Sequence, residues 1–328
     1  MKRRFLSLPV AALVATACQM NPTVDQIISQ TYVHKYGFET SESDWEAREQ
    51  DGQVVSRLKN GVVLTQSFEN GKLHGPTTYS FPKSTVVEKQ QLYDEGILLK
   101  EQINDIAGMP VREEVYEFGD RIIITLWDDK GVPLSIEEYD DDLLMEAKYY
   151  TSEHELEANV SLGNGGRVKR DRSGLLISRD EIANGIMTAH TTYHPNGNIH
   201  TISHYDNYQL HGKQMKFSVS GKPLMEMGWN HNEMDGTKTV YRNGKKIVEI
   251  PYVNGKRHGT ELHFDDLGYM TAEIEWQNDQ RHGPSSLHSE ESSDTEWFYK
   301  GQSVRADRYR MLEQRGLIQS EFHENPVR

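Results

Sequence analysis

The chain has 328 residues, 26% charged and 36% hydrophobic, with a formal net charge of −14. That balance belongs to a folded chain rather than a disordered one, and the acidic excess argues against nucleic acid, whose binders need cations to displace counterions. A single cysteine, Cys18, excludes an intramolecular disulfide, so packing and backbone pairing must hold the fold.

At the N-terminus, Lys2, Arg3 and Arg4 precede an apolar run over residues 5–17, the order of a signal segment. Ala15-Thr16-Ala17-Cys18 resembles a bacterial lipobox. The resemblance implies cleavage after residue 17, a lipidated Cys18 and attachment to the cell envelope; Gln19 favours the outer membrane. A plain secretory signal with an incidental cysteine is the alternative. Nothing after residue 17 is long and apolar enough to span a bilayer. Residues 18–50 read as an N-terminal segment and cap, with a strand over 30–39 and one or two helical turns around Trp45.

Residues 51–300 read as a repeat array. Gly197, Gly221, Gly244 and Gly268 recur at spacings of 24, 23 and 24. Eight residues after each stands an aromatic (Tyr205, Trp229, Tyr252, Trp276), and fifteen after each a second glycine (Gly212, Gly236, Gly259, Gly283). Three of those second glycines follow His211, His258 and His282, and His74-Gly75 shows the same pair early in the chain. Backward, the phase runs through Gly174, an ill-defined repeat near Glu153, Gly131, Gly108, Thr85 and Gly61. Forward, it reaches Ser292, giving about ten repeats.

Each repeat alternates with period two and so reads as a pair of strands. Pro195-Asn196-Gly197 suits a three-residue hairpin loop that sets His194 opposite Asn198 and Tyr193 opposite Ile199, placing Tyr193 on the face of Tyr205. Asn254-Gly255 and Asn278-Asp279 mark the second turn of their repeats. Pro223, Met225, Met227 and Trp229 share one phase. Met225, Trp229, Ile250, Tyr252, Ile274 and Trp276 form an apolar stripe on one face. The fold class is therefore all-β: an elongated, single-layer, twisted antiparallel sheet, on the order of 90 Å long at ~4.8 Å per strand. Residues 301–328 form a C-terminal helical cap and tail, helical over 304–315, with Ser303 as N-cap and Gly316 as stop.

Val240-Tyr241-Arg242-Asn243-Gly244-Lys245 followed by Tyr252-Val253-Asn254-Gly255-Lys256-Arg257-His258-Gly259 resembles the MORN repeat, and specifically the bacterial variant in proteins labelled YwqK-type antitoxins. The repeat with Gly197, Tyr205, His211 and Gly212 is also close. The resemblance spans about residues 61–283. It implies successive hairpins and a scaffold that binds other proteins.

The residues that bear chemistry are few. His74, His211, His258 and His282 recur at one phase, which points to a structural role beside a strand bulge rather than catalysis. His190, His194 and His200, with His204 one step further, would be diagonal neighbours if Thr192 faced His200, and three imidazoles would suffice for zinc. The alternative is a solvated or pH-sensitive surface. Arg167, Lys169, Arg170 and Arg172 read as a solvated loop, as do Asp140, Asp141 and Asp142. Gly163-Asn164-Gly165-Gly166 lacks the lysine of a phosphate loop, and no nucleophile elbow, HExxH or CxxC motif occurs.

The expectation is thus a lipid-anchored, non-catalytic scaffold for a protein partner, with no cofactor. The alternatives are a peptidoglycan-binding protein using exposed Trp229 and Trp276, an antitoxin-like partner of a toxin, and an enzyme with its site in the irregular repeat at 150–180.

Overall fold

The computed structural model describes residues 26–47, 50–289 and 291–324. The signal segment and Cys18 lie outside the described residues. The chain divides into two compact units, residues 1–108 and 109–328. Each is an open antiparallel sheet built from successive hairpins.

In the first unit, the strand Ile27–His34 pairs along its length with Gly52–Leu58, and the chain then steps outward through Val63–Glu69, Lys72–Ser80, Val87–Asp94 and Ile97–Asn104. The expected strand over 30–39 ends at His34 and resumes as the two-residue Glu39–Thr40, which pairs back on Tyr32 and Val33. The helix Glu42–Ala47 is capped by the Ser41 hydroxyl, which accepts the Asp44 N–H at 3.2 Å. Its one buried side chain, Trp45, packs 5.8 Å from Tyr32 and 6.1 Å from Phe68, closing the apolar face of the first strands.

The second unit runs from Pro110–Tyr116 to Gln302–Val304 and ends in the helix Ala306–Glu324. Its first-type turn behaves as the sequence indicates at Gly197. The Gly197 N–H donates to the His194 carbonyl and the His194 N–H to the Asn198 carbonyl, both at 2.8 Å, closing a three-residue loop with Gly197 at φ 84°. At Gly244 the loop is one residue shorter, because Arg242 pairs directly with Lys245. That single missing residue explains why the glycine spacing is 23 there and 24 on either side.

The second turns are two-residue loops with both central residues left-handed, as at Asn207 and Tyr208, His231 and Asn232, Asn254 and Gly255, and Asn278 and Asp279. This backbone matches the right-handed twist of the flanking strands. Three of them also bond to the hairpin before: the Asn232 N–H donates to the Leu210 carbonyl at 2.9 Å, Gly255 to Met234 at 2.8 Å and Asp279 to Arg257 at 3.0 Å. The turns therefore form a ladder along one edge of the sheet, and the fixed repeat length keeps its rungs aligned.

Two bulges per repeat revise the expected faces. Tyr193 pairs with Ile199 as expected, but Thr192 pairs with Thr201, which leaves His200 without a partner residue. Leu224, Ile247 and Thr271 are skipped at the same phase, three residues after their glycines. An extra residue reverses the in-out alternation. Tyr193 therefore lies on the face opposite Tyr205, and Pro223 leaves the face of Met225, Met227 and Trp229. The apolar stripe itself stands beyond the bulges: Met225 pairs with Val240, Lys238 with Ile250, Gly236 with Tyr252, Glu261 with Ile274 and Gly259 with Trp276, so all six stripe residues share one face. The second bulge sits at the His-Gly pair, where the His211 N–H reaches the His204 carbonyl at 3.0 Å and the His258 N–H the Pro251 carbonyl at 3.0 Å. Gly212 and Gly259 are left-handed there, at φ 86° and 104°.

The main apolar core, Leu144, Ala147, Tyr149, Val160, Val168 and Ile182, lies in the stretch where the repeat pattern is weakest. The terminal helix continues through Gly316 to Glu324, past the expected stop. An isolated glycine inside a helix costs only about 1 kcal/mol, and the residues after it favour helix. Arg305 rather than Ser303 supplies the first helical carbonyl, accepting the Tyr309 N–H at 2.9 Å. Tyr309 packs 5.1 Å from Trp297 and 6.3 Å from Tyr299, so the helix covers the end of the last long strand, Ser293–Tyr299.

Candidate functional site

The bulge at His200 decides the fate of the histidine group. His194 and His200 come together, with ring centroids 4.5 Å apart, and the His194 Nε2–H donates to the Phe217 carbonyl at 3.1 Å. His190 does not join them, because it pairs across the strands with Ser203 and Asp180 and its Nδ1 lies 2.5 Å from Asp180 Oδ1. His204 turns its Nδ1 to the Lys213 carbonyl at 2.6 Å. The expected convergence of His190, His194 and His200 is thus replaced by one ring pair and one His–Asp pair. Among the described residues no group of three or more His, Cys, Asp or Glu is placed to hold a metal.

The His-Gly histidines serve local contacts. His74 lies 3.2 Å from both Glu69 and Asp94. His282 Nε2 lies 2.7 Å from Glu313 of the terminal helix, and its Nδ1 accepts the Lys300 N–H at 3.3 Å. His211 packs on His231 at 4.7 Å. Trp229 and Trp276 are half-buried, and the Arg257 guanidinium lies 3.5 Å over the Trp276 ring, covering the surface on which a sugar would stack.

A buried polar network in the second unit is the feature that reading the sequence missed. Arg167 and Lys169 belong to the strand Asn164–Arg170, not to a solvated loop, and face Asp180 and Ser178 of the strand Leu176–Ala183. Arg167 Nε lies 3.1 Å from Asp180 Oδ2 and 3.9 Å from Glu137 Oε1. Glu137 accepts two phenols, Tyr149 at 2.8 Å and Tyr139 at 2.7 Å, and Asp180 continues to His190. Tyr149 is 1% exposed and Asp180 4%.

The electrostatics follow from that burial. Both phenols titrate well above the ordinary tyrosine range, first because burial disfavours the phenolate and then because Glu137 is adjacent. Burial opposes the charge on Arg167, but Glu137, the neighbouring phenols and Asp180 outweigh it and hold the guanidinium protonated. Lys169 is pulled down by burial and then by Arg167. The signal was present as Arg167 and Lys169 at period two opposite Ser178 and Asp180, but Asp171 interrupts the basic run and masks its strand character. Arg170, by contrast, pairs with Glu157 at 2.8 Å on the other face.

The irregular repeat at 150–180 closes through Thr151, whose N–H reaches the Glu155 carbonyl, with His154 at φ 65° taking the place of the turn glycine. A cavity of about 130 Å³ beside it is lined by Asp128, Ser152, Arg172 and Gly174. A larger groove of about 450 Å³ lies across the strands Arg121–Trp127, Pro133–Asp140 and Leu143–Tyr150. It is lined by the apolar Phe118, Met145 and Leu162 and by the charged Arg121, Glu138, Asp140 and Glu146.

No family model matches the chain, and no curated protein matches it. Solved structures show remote likeness. The structure of TcdB2-TccC3 is 12% identical over 76% of this chain, with a TM-score of 0.19, and the chain spans 17% of its length. BamB from Moraxella catarrhalis is 10% identical over 75% of this chain and 82% of its own, with a TM-score of 0.16. A porin-like protein from Bacteroides uniformis is 10% identical over 78% of this chain and 89% of its own, with a TM-score of 0.15.

Proposed function

We propose that this chain is a non-catalytic protein-interaction scaffold held at the bacterial envelope through a lipid on Cys18. The observation that carries the reading is the shared face of Met225, Trp229, Ile250, Tyr252, Ile274 and Trp276, all only partly buried. A row of apolar side chains that keeps part of its surface accessible favours contact with another macromolecule. The lipobox-like Ala15-Thr16-Ala17-Cys18 supports the anchor, and the MORN-like repeat supports the scaffold role. Stable anchoring takes two membrane-binding signals, such as two acyl chains.

Two measurements test the parts separately. Cys18→Ser should move the protein from the membrane fraction to the soluble one; unchanged fractionation rejects the lipid anchor. The tagged full chain should capture a defined protein from envelope extract by crosslinking, and replacing Met225 and Ile250 with Ser should abolish capture. Retention on peptidoglycan without any captured protein rejects the scaffold in favour of carbohydrate binding.

A further inference from the structure

We infer that the groove bounded by Phe118, Met145 and Leu162 is a docking site for an arginine side chain, flanked by an apolar residue, on an extended peptide of a protein partner. The inference rests on the scaffold reading and names the chemistry of one contact. The groove lies on the opposite face of the sheet from the Glu137–Arg167 network, since Glu138 and Asp140 alternate with Glu137 and Tyr139 along one strand.

Three observations converge on that occupant. First, the lining is anionic where a sheet should avoid it: Glu138 and Glu146 are directly opposed across the strands, a destabilising like-charge pairing that Arg121 offsets only at Glu138. Second, the cation present is already engaged. Arg121 bonds Glu138 and lies 3.6 Å from Glu117, while Glu146 accepts, among the described residues, the Ser161 hydroxyl at 3.1 Å and the Leu162 N–H at 2.8 Å and no cation. Asp140 stands directly opposite Arg121 across the strands, but among the described residues no cation lies within ion-pair distance of it. Third, the walls are apolar and project outward. Phe118 is fully exposed at the tip of its turn, and Leu162 is 78% exposed and held left-handed at φ 49°. A leucine in that backbone, facing water, is doubly unfavourable by itself.

Carboxylates below an aromatic ring and two aliphatic walls match a guanidinium, which is planar, weakly hydrated and able to bond carboxylates while stacking on a ring. A volume of about 450 Å³ admits one long side chain and part of its neighbour. An acidic peptide would meet three carboxylates and is disfavoured by the same arrangement.

The test uses the purified full chain and two blocked tripeptides, Ac-Arg-Leu-Arg-NH₂ and Ac-Glu-Leu-Glu-NH₂, by isothermal titration calorimetry. The arginine peptide should bind saturably at low salt and weaken as salt rises, and the glutamate peptide should not bind. Asp140→Asn and Phe118→Ala alter exposed side chains that make no ion pair or ring contact among the described residues. Each should weaken binding about threefold to fivefold, as for a partly exposed charge or ring contact, with an unchanged circular dichroism spectrum. Absence of saturable binding, equal binding of the glutamate peptide, or wild-type affinity in both variants would overturn the site. Capture of the same envelope protein by the double variant would leave the scaffold reading standing while removing this one.

Discussion

Arg167 stands between two buried carboxylates, and its removal leaves Glu137 and Asp180 without their shared cation. Deleting one partner of a buried charge cluster costs far more than the cluster gains by being there. Arg167→Ala should therefore destabilise the second unit by about 3 kcal/mol, read as a lowered urea midpoint. The phenols of the same network give a pH signature. Their folded pKa values lie above the ordinary 10.0, so the stability they contribute is complete below about pH 10 and is lost as pH rises, because the unfolded chain gives up the proton first. Urea midpoints should fall between pH 9.5 and 11, and Tyr139→Phe with Tyr149→Phe should flatten that fall by about 1.4 kcal/mol per pH unit for each phenol removed.

At the scale of the hairpin, the sheet tolerates length changes in one place and not in another. The Gly244 loop has two residues where the Gly197 loop has three, with the same bulge following each. Inserting one residue between Arg242 and Asn243 should thus restore the three-residue form and shift stability by no more than about 1 kcal/mol. The same insertion after Ile250 reverses the in-out alternation before Tyr252 and breaks its pairing with Gly236. That variant should lose the cooperative thermal transition, and wild-type melting of it would contradict the register. The two-residue second turns at Asn232, Gly255 and Asp279 are less forgiving, since these residues also donate to the preceding hairpin, as Gly255 does to Met234.

Across the second unit, an open sheet has an end that must be covered. The terminal helix supplies that cover: Tyr309 packs on Trp297 and Tyr299, and Glu313 bonds His282. Truncation after Arg305 should expose those rings and leave only Gln302–Val304 on the edge of Ser293–Tyr299, whose remaining length templates pairing with another chain. Concentration-dependent association, measured by light scattering at neutral pH, is the expected outcome; a truncated chain that stays monomeric would show that the helix is not a cap.

The sequence by itself determined the all-β class, the hairpin repeat and its phase, the three-residue loop at Gly197 and the shared face of Met225 to Trp276. These depend on turn residues and period-two alternation, which act over a few neighbouring positions. Only the tertiary structure decided where a residue is skipped. One bulge at His200 separated His190 from His200, moved Tyr193 to the face opposite Tyr205 and broke the expected histidine convergence, although no local residue announces it. Burial was decided the same way. Arg167 and Asp180 are thirteen positions apart in a stretch where the glycine pattern fades, and Glu137 thirty from Arg167, so their neutralisation of one another becomes legible only once three hairpins are in register.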